Sequence, residues 1–197
     1  MFIKTSLFKK LLNEAYKGGG IRIGHQKDRF YIAGSYWALM VYQDYFPKKE
    51  KAAVVELIGD LPHEEFFRAQ KDEGRQQLLT GEDWMFHFEE EKVMDLEETE
   101  LLVQEPMGIY CRLLKDEFGN IVPINQKLYD IIDESSKTDD DMDIVGPYRV
   151  KGCEWAMFWH NNTSSFMLGQ RDWKDNEELM DLKKGLELAM RDGTVGI

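Results

Sequence analysis

The sequence predicts an α+β protein built from antiparallel sheet with packed helices. Three observations carry that expectation. Apolar residues recur at helical spacing in several separated stretches. Between them lie short apolar runs divided by polar turns, the pattern of strands and hairpins. A hydrophobic share of 43 % over 197 residues, with 12 % aromatics, suffices for a core and excludes wholesale disorder.

The elements follow in chain order. Leu7, Phe8, Leu11, Leu12, Ala15 and Tyr16 mark a first helix, with Thr5 or Ser6 as its cap and Gly18-Gly19-Gly20 as its stop. Strands are expected over Ile21 to His25 and Arg29 to Tyr42, the second carrying a bulge or break at Gly34. Pro47 opens a second helix that runs to Ile58 and stops at Gly59. Glu64 to Gln70 and Arg75 to Leu79 form a hairpin, and Trp84 to Phe88 alternates like a strand. The acidic stretch Glu89 to Glu100 comes next. A second hairpin joins Met107 to Lys115 with Ile121 to Ile124. Asn125 to Glu134 is expected to be helical, and Ser135 to Asp143 a polar loop. Three strands follow, over Ile144 to Val150, Cys153 to His160 and Ser165 to Arg171. The chain then enters an amphipathic helix with Asp175 and Glu178 as a capping box, Leu179, Leu182, Leu186 and Ala189 along one face, and Gly193 as its stop.

Each half thus pairs a helix with antiparallel strands that hold an aromatic cluster, Tyr36-Trp37 in one and Trp155 to Trp159 in the other. The expected organisation is an N-terminal α+β half (1–80), an acidic connecting segment (81–106) and a C-terminal α+β half (107–197). The two halves can close into one compact domain.

Charge sharpens the picture. The chain holds 25 Lys/Arg and 37 Asp/Glu, a net of −12. Residues 1–56 carry +5, and residues 57–100 carry −10. Phosphate contacts need Lys and Arg, so the total argues against a general nucleic-acid binder. The longest apolar run, Tyr36 to Tyr42, is seven residues, against about 20 needed to cross a bilayer as a helix. Lys4, Lys9 and Lys10 interrupt the N-terminal apolar residues, so no secretory signal is expected. Cys111 and Cys153 are too few for a disulfide framework, and a cytoplasmic home with reduced thiols is the simplest expectation.

No catalytic motif is intact. His63-Glu64-Glu65-Phe66-Phe67 starts like the zinc-protease helix, but Phe67 stands where the second His is required. Asp139 to Asp143 suggests a calcium loop, yet Ile144 and Val150 occupy the positions that need Gly and Glu. Gly18-Gly19-Gly20 follows a helix and precedes a strand, the reverse of a phosphate loop. Cys153 and His160 lie seven residues apart on one expected strand, which puts them on opposite faces. No catalytic residue, metal ligand or cofactor is therefore expected.

Two features remain as functional candidates. One is the acidic band Glu82, Asp83, Glu89, Glu90, Glu91, Asp95, Glu97, Glu98 and Glu100. A dense row of carboxylates can imitate a phosphate backbone and occupy the basic groove of another protein. The plainer reading is a solvated linker or exposed face. The other feature is the aromatic set Tyr36, Trp37, Tyr42, Tyr45, Phe46, Trp155, Phe158 and Trp159. Aromatics are enriched at interface hot spots, and most of these are expected in the core.

The run Ile32-Ala33-Gly34-Ser35-Tyr36-Trp37, continued by Phe46-Pro47-Lys48-Lys49 and Glu56-Leu57-Ile58-Gly59-Asp60-Leu61-Pro62, resembles small proteins of phages and integrative elements of Gram-positive bacteria. The resemblance covers about the first third of the chain. Proteins in that setting include anti-CRISPR and other host-defence inhibitors, so it implies an interaction role and assigns no residue. The helix-then-strands halves also resemble a DNA sliding-clamp subunit by fold analogy.

Three function classes are thereby carried. The first is a non-enzymatic inhibitor that blocks a basic nucleic-acid-binding protein through the acidic band. The second is a clamp-like scaffold that touches DNA through Lys9, Lys10, Lys17, Lys48, Lys49 and Lys51. The third is a metal-dependent enzyme built on Asp139, Asp141, Asp143 or His87. No membrane partner and no direct general nucleic-acid binding are expected.

Overall fold

The computed structural model describes residues 1–78, 87–133, 135 and 141–191. The chain folds as α1 (Thr5–Lys17), β1 (Ile21–Gln26), β2 (Arg29–Ala33), β3 (Trp37–Tyr42), α2 (Lys48–Ile58), β4 (Phe66–Gln70) and β5 (Gly74–Leu78). It continues as β6 (Lys92–Gln104), β7 (Tyr110–Asp116), β8 (Ile121–Asn125), α3 (Gln126–Tyr129), β9 (Val145–Val150), β10 (Cys153–His160), β11 (Ser164–Gly169) and α4 (Glu177–Arg191). The expected α+β class holds. Leu79, Glu82, Asp83, Trp84 to Phe86, Glu134, Asp139, Asp140 and Gly193, all invoked above, lie outside the described residues.

All eleven strands join one antiparallel sheet in the order β5-β4-β1-β2-β3-β11-β10-β9-β6-β7-β8. The seam between early and late strands is β3 against β11, with Met40 opposite Ser165 and Leu39 opposite Phe166. Lys92–Gln104, inside the segment expected to connect the halves, is the strand between β9 and β7.

Strand alternation sends side chains to two faces. The first face carries the larger core. Phe8, Leu11 and Leu12 of α1 and Val54 and Ile58 of α2 bury there against Ile21, Ile23, Ile32, Leu39, Phe166 and Leu168. The second face carries Tyr31, Met40, Tyr148, Phe158 and Met167. At its β7–β8 end, α4 covers Cys111, Leu113 and Ile121 with Leu179, Leu186 and Met190.

Local departures from the sequence reading have identifiable causes. The long run Arg29 to Tyr42 is two strands rather than one. The chain reverses at Gly34, whose N–H donates to the Trp37 carbonyl at 3.0 Å. The Trp37 indole nitrogen sits 2.5 Å from where a Cβ on Gly34 would be, so only glycine admits that ring. Neither Thr5 nor Ser6 caps α1. Lys4 holds the cap position, and the Thr5 hydroxyl donates to Glu50 of α2 instead. The expected helix from Asn125 closes after one turn. Backbone groups beyond it are spent on the N-terminus, with Lys4 N–H on the Ile131 carbonyl at 2.8 Å and Asp133 N–H on that of Phe2 at 2.9 Å.

Helix α4 starts one residue later than its expected box. Asn176, not Asp175, supplies the side-chain cap, accepting from Leu179 N–H at 3.0 Å. Leu182 is exposed, and Met190 takes its place on the buried stripe. His87–Glu89 is a single 3-10 turn rather than the end of a strand.

Candidate functional site

The acidic stretch becomes geometry through β6. Asp95 stands opposite Tyr148 and so faces the second side of the sheet, and Glu97 stands opposite Lys115 on that same side. Leu96 points into the first-face core. Glu98 lies on that first side, where it accepts from the Tyr129 hydroxyl and pairs with Arg112 at 3.7 Å. Period-two alternation therefore divides the carboxylates between the faces.

Four of the seven described carboxylates have cationic partners. Glu89 pairs with Arg29, Asp95 with Lys92 at 2.5 Å, Glu97 with Lys115 at 2.9 Å and Glu98 with Arg112. Glu90, Glu91 and Glu100 are exposed and make no ion pair among the described residues. Asp95 and Glu97 are each 71 % exposed in their pairs, so water screens those contacts heavily.

The aromatic set divides by burial. Trp37, Phe46, Phe158 and Trp159 are buried, Tyr42 is half-buried, and Tyr36, Tyr45 and Trp155 are exposed. Tyr36 and Trp155 both approach Gly169 at one end of the sheet.

Cys111 and Cys153 are free and buried. Burial pushes the Cys153 thiol up to about 11. Burial and the neighbouring Glu105 carboxylate push the Cys111 thiol up to about 12. Neither is an activated nucleophile, because the thiolate is the reactive form. Cys153 and His160 are not on opposite faces, as their odd spacing implies. The β9–β10 register shifts between Cys153 and Phe158, and the irregularity resets the alternation. Cys153 therefore packs with Ala156 and Phe158 on the second face, where His160 also meets Tyr148.

His63 is exposed and precedes β4. Asp141 binds within the protein, accepting from the Met1 ammonium at 2.9 Å and from the Asn161 amide at 3.1 Å. Among the described residues, no group of three or more His, Cys, Asp or Glu side chains is placed to hold a metal ion.

Two charge clusters of the second face were invisible in the sequence. The first surrounds Glu105, which directly follows β6 and opens the turn Pro106–Gly108. Its carboxylate accepts from Arg171 Nε at 3.1 Å and Nη2 at 2.7 Å, from Trp173 Nε1 at 2.6 Å and from Cys111 Sγ at 3.0 Å. It is 6 % exposed. Burial alone would raise its pKa, but the bonds from Arg171, Cys111 and Trp173 prevail and hold it at about 2.

The second cluster surrounds a cavity of about 590 Å³. Its floor is set by register. Tyr31 stands opposite Met40, Met40 opposite Ser165 and Ser165 opposite His160, so one row of side chains crosses β2, β3, β11 and β10 on a single face. Arg29 and Tyr42 form the adjoining row, with the guanidinium 5.1 Å from the Tyr42 ring centre. The Tyr148 hydroxyl meets His160 Nδ1 at 2.7 Å, and Lys92 lies 5.7 Å from the Tyr148 ring centre. Burial, then the Lys92 charge, lowers the His160 pKa, and burial raises that of Tyr148 to about 12. Both are thus held neutral near pH 7.

Comparison with known proteins finds no matching family model, no matching curated sequence and no matching solved structure.

Proposed function

We propose that this protein is a non-enzymatic interaction protein. It engages a basic, nucleic-acid-binding protein partner through the exposed carboxylates around β6, in the manner of a phage or mobile-element inhibitor. The observation that supports this is the uncompensated charge on Glu90, Glu91 and Glu100 beside the exposed pairs of Asp95 and Glu97. Exposed carboxylates of this density raise the local negative potential and steer a basic surface toward them. The absence of an activated thiol supports a binding role over covalent catalysis.

The test is binding to an RNA-guided nuclease with a basic DNA channel. Affinity should fall steeply between low and physiological salt. Reversing Glu90, Glu91 and Glu100 to Lys should abolish it with the melting temperature retained, because none of the three side chains makes an ion pair among the described residues. Undiminished binding by the triple variant rejects the reading.

A second reading rests on the helix layer. Lys9 and Lys10 of α1 and Lys48 and Lys49 of α2 are exposed, and the two helices pack against each other. A scaffold that touches DNA through them would shift DNA on a gel at low salt. Changing these four lysines to Glu would remove the shift.

A further inference from the structure

We propose that an apolar cavity between the end of β6 and α3 seats a phenylalanine or leucine side chain of the protein partner, carried between lysines or arginines that pair with Asp130 and Glu100. This rests on the acidic-surface reading above and gives that surface an anchor.

Register builds the cavity. Leu102 stands opposite Arg112, and Tyr110 stands opposite Gln104. Leu101, Val103 and Cys111 pack toward α4 on the second face. Alternation therefore turns Leu102 and Tyr110 together to the first face, where each is 52 % exposed. With Ile109 they form one wall of a cavity of about 370 Å³. Gln126, Lys127 and Asp130, from α3 and its end, form the other wall.

Exposed apolar side chains scattered singly are ordinary. Two on the wall of one cavity make a place where a partner can bury an anchor. Binding hot spots have that form, with an apolar or aromatic side chain in a pocket and a polar rim around it. The cavity is near the lower end of the range for ligand sites, roughly 300–1,000 Å³, so one side chain suits it.

Charge then selects the occupant. The cations at the rim are engaged. Lys127 Nζ lies 2.7 Å from Glu14. Arg112 pairs with Glu98 at 3.7 Å and donates to the Gln126 side chain at 2.9 Å. The carboxylates are in excess. Asp130 is exposed, and its carboxylate accepts from the Gln126 amide but makes no ion pair among the described residues. Glu100 is exposed and also makes no ion pair among them. It precedes Leu101, which faces α4, and so points the same way as Leu102. An apolar pocket edged by two uncompensated carboxylates complements an apolar side chain with basic neighbours. It opposes the same side chain with acidic neighbours.

Three capped pentapeptides test this at low ionic strength, read from the Leu102 methyl and Tyr110 ring signals by nuclear magnetic resonance. Lys-Lys-Phe-Lys-Lys should give saturable shifts at both residues. Replacing its phenylalanine by serine should weaken binding at least fivefold, and replacing its four lysines by glutamate should abolish it. Tyr110→Ala and Leu102→Ser should each weaken the phenylalanine peptide at least threefold with the melting temperature retained, since both side chains are half in water. The proposal is overturned by no saturable shift at Leu102 and Tyr110, or by equal binding of the serine peptide. Shifts confined to Glu90 and Glu91 would overturn the pocket and leave the acidic-surface reading standing. Equal binding of the glutamate peptide would mark a site for apolar ligands of any charge, and signals that move on dilution of the protein alone would mark a second copy as the occupant. Either result overturns the proposal.

Discussion

Glu105 and Arg29 sit on the same side of one sheet, and each anchors a charged cluster, but the two clusters end differently. At Glu105 the carboxylate accepts from Arg171, Trp173 and Cys111 and is nearly sealed from water. At Arg29 the cation pairs with the exposed carboxylates of Glu89 and Asp28, and its buried Nε, 3.8 Å from Asp28, makes no hydrogen bond. A saturated buried charge holds pieces of chain together. Here it ties the segment after β11 to the end of β6. An unsaturated one keeps hydrogen-bonding capacity for something else. The pKa values alone do not make this distinction, since both sites contain displaced groups. The count of unspent donors does.

The largest effect that separates the two is loss of stability. Removing one partner of a buried charge pair leaves the other uncompensated, which costs about 3–5 kcal/mol. Glu105→Ala strands Arg171, the Trp173 indole N–H and the Cys111 thiol together, and should fall in that range. Arg29→Ala releases a Glu89 side chain that is 61 % exposed, and should cost about 1 kcal/mol or less. Urea unfolding of both variants measures the gap. Equal losses would erase the distinction between the two clusters.

The next effect is pH dependence. Glu105 is held at about 2 when folded, against its ordinary 4.5. A depressed carboxylate contributes stability that is complete above its unfolded pKa and is lost as pH falls from about 4.5 through about 2. The size of that contribution is ~3 kcal/mol. His160 acts earlier and in the same direction. Its folded pKa lies below the ordinary 6.5, so stability declines as pH falls below 6.5 toward the folded value. Replacing Glu105 by Gln should flatten the acid limb below 4.5 and leave the His160 limb in place. An unchanged limb below 4.5 would mean that Glu105 is not the group being protonated.

Much of the fold was legible because it is local. The periodicity of Phe8, Leu11 and Leu12, the turn at Lys71 to Gly74 and the proline at position 47 each act within a few residues. What failed was competition over distance. Thr5 satisfies every rule for a cap, yet it prefers the Glu50 carboxylate, 45 residues away. Asn125 to Glu134 has helical spacing, but Phe2 and Lys4 claim its backbone groups.

The sites were less legible still. Glu105 was one acid among ten in its region, and Arg171 stands 66 residues from it. Tyr31, Met40, Ser165 and His160 line up only because four strands fall into register. The weak signal available was a histidine ending an aromatic strand two residues after Phe158. Charge along the chain picks out the acidic stretch. It could not show that Glu89 and Glu98 are held by arginines while Glu90, Glu91 and Glu100 stay open.

The smallest effect lies between those two extremes, at the pair Glu97–Lys115. Its 2.9 Å separation is as short as the contacts around Glu105, and distance alone would rank the two alike. Solvent decides otherwise. Glu97 is mostly in water, so breaking the contact strands nothing, and exposed pairs are typically worth about 0.2–1 kcal/mol. A double-mutant cycle of Glu97→Gln with Lys115→Met should give a coupling of about 0.5 kcal/mol or less, and half a molar of salt should abolish it. A salt-resistant coupling above 2 kcal/mol would show that the exposed side of β6 is electrostatically dry. It would then behave as the Glu105 cluster does, and its carboxylates would be poor contacts for a basic partner.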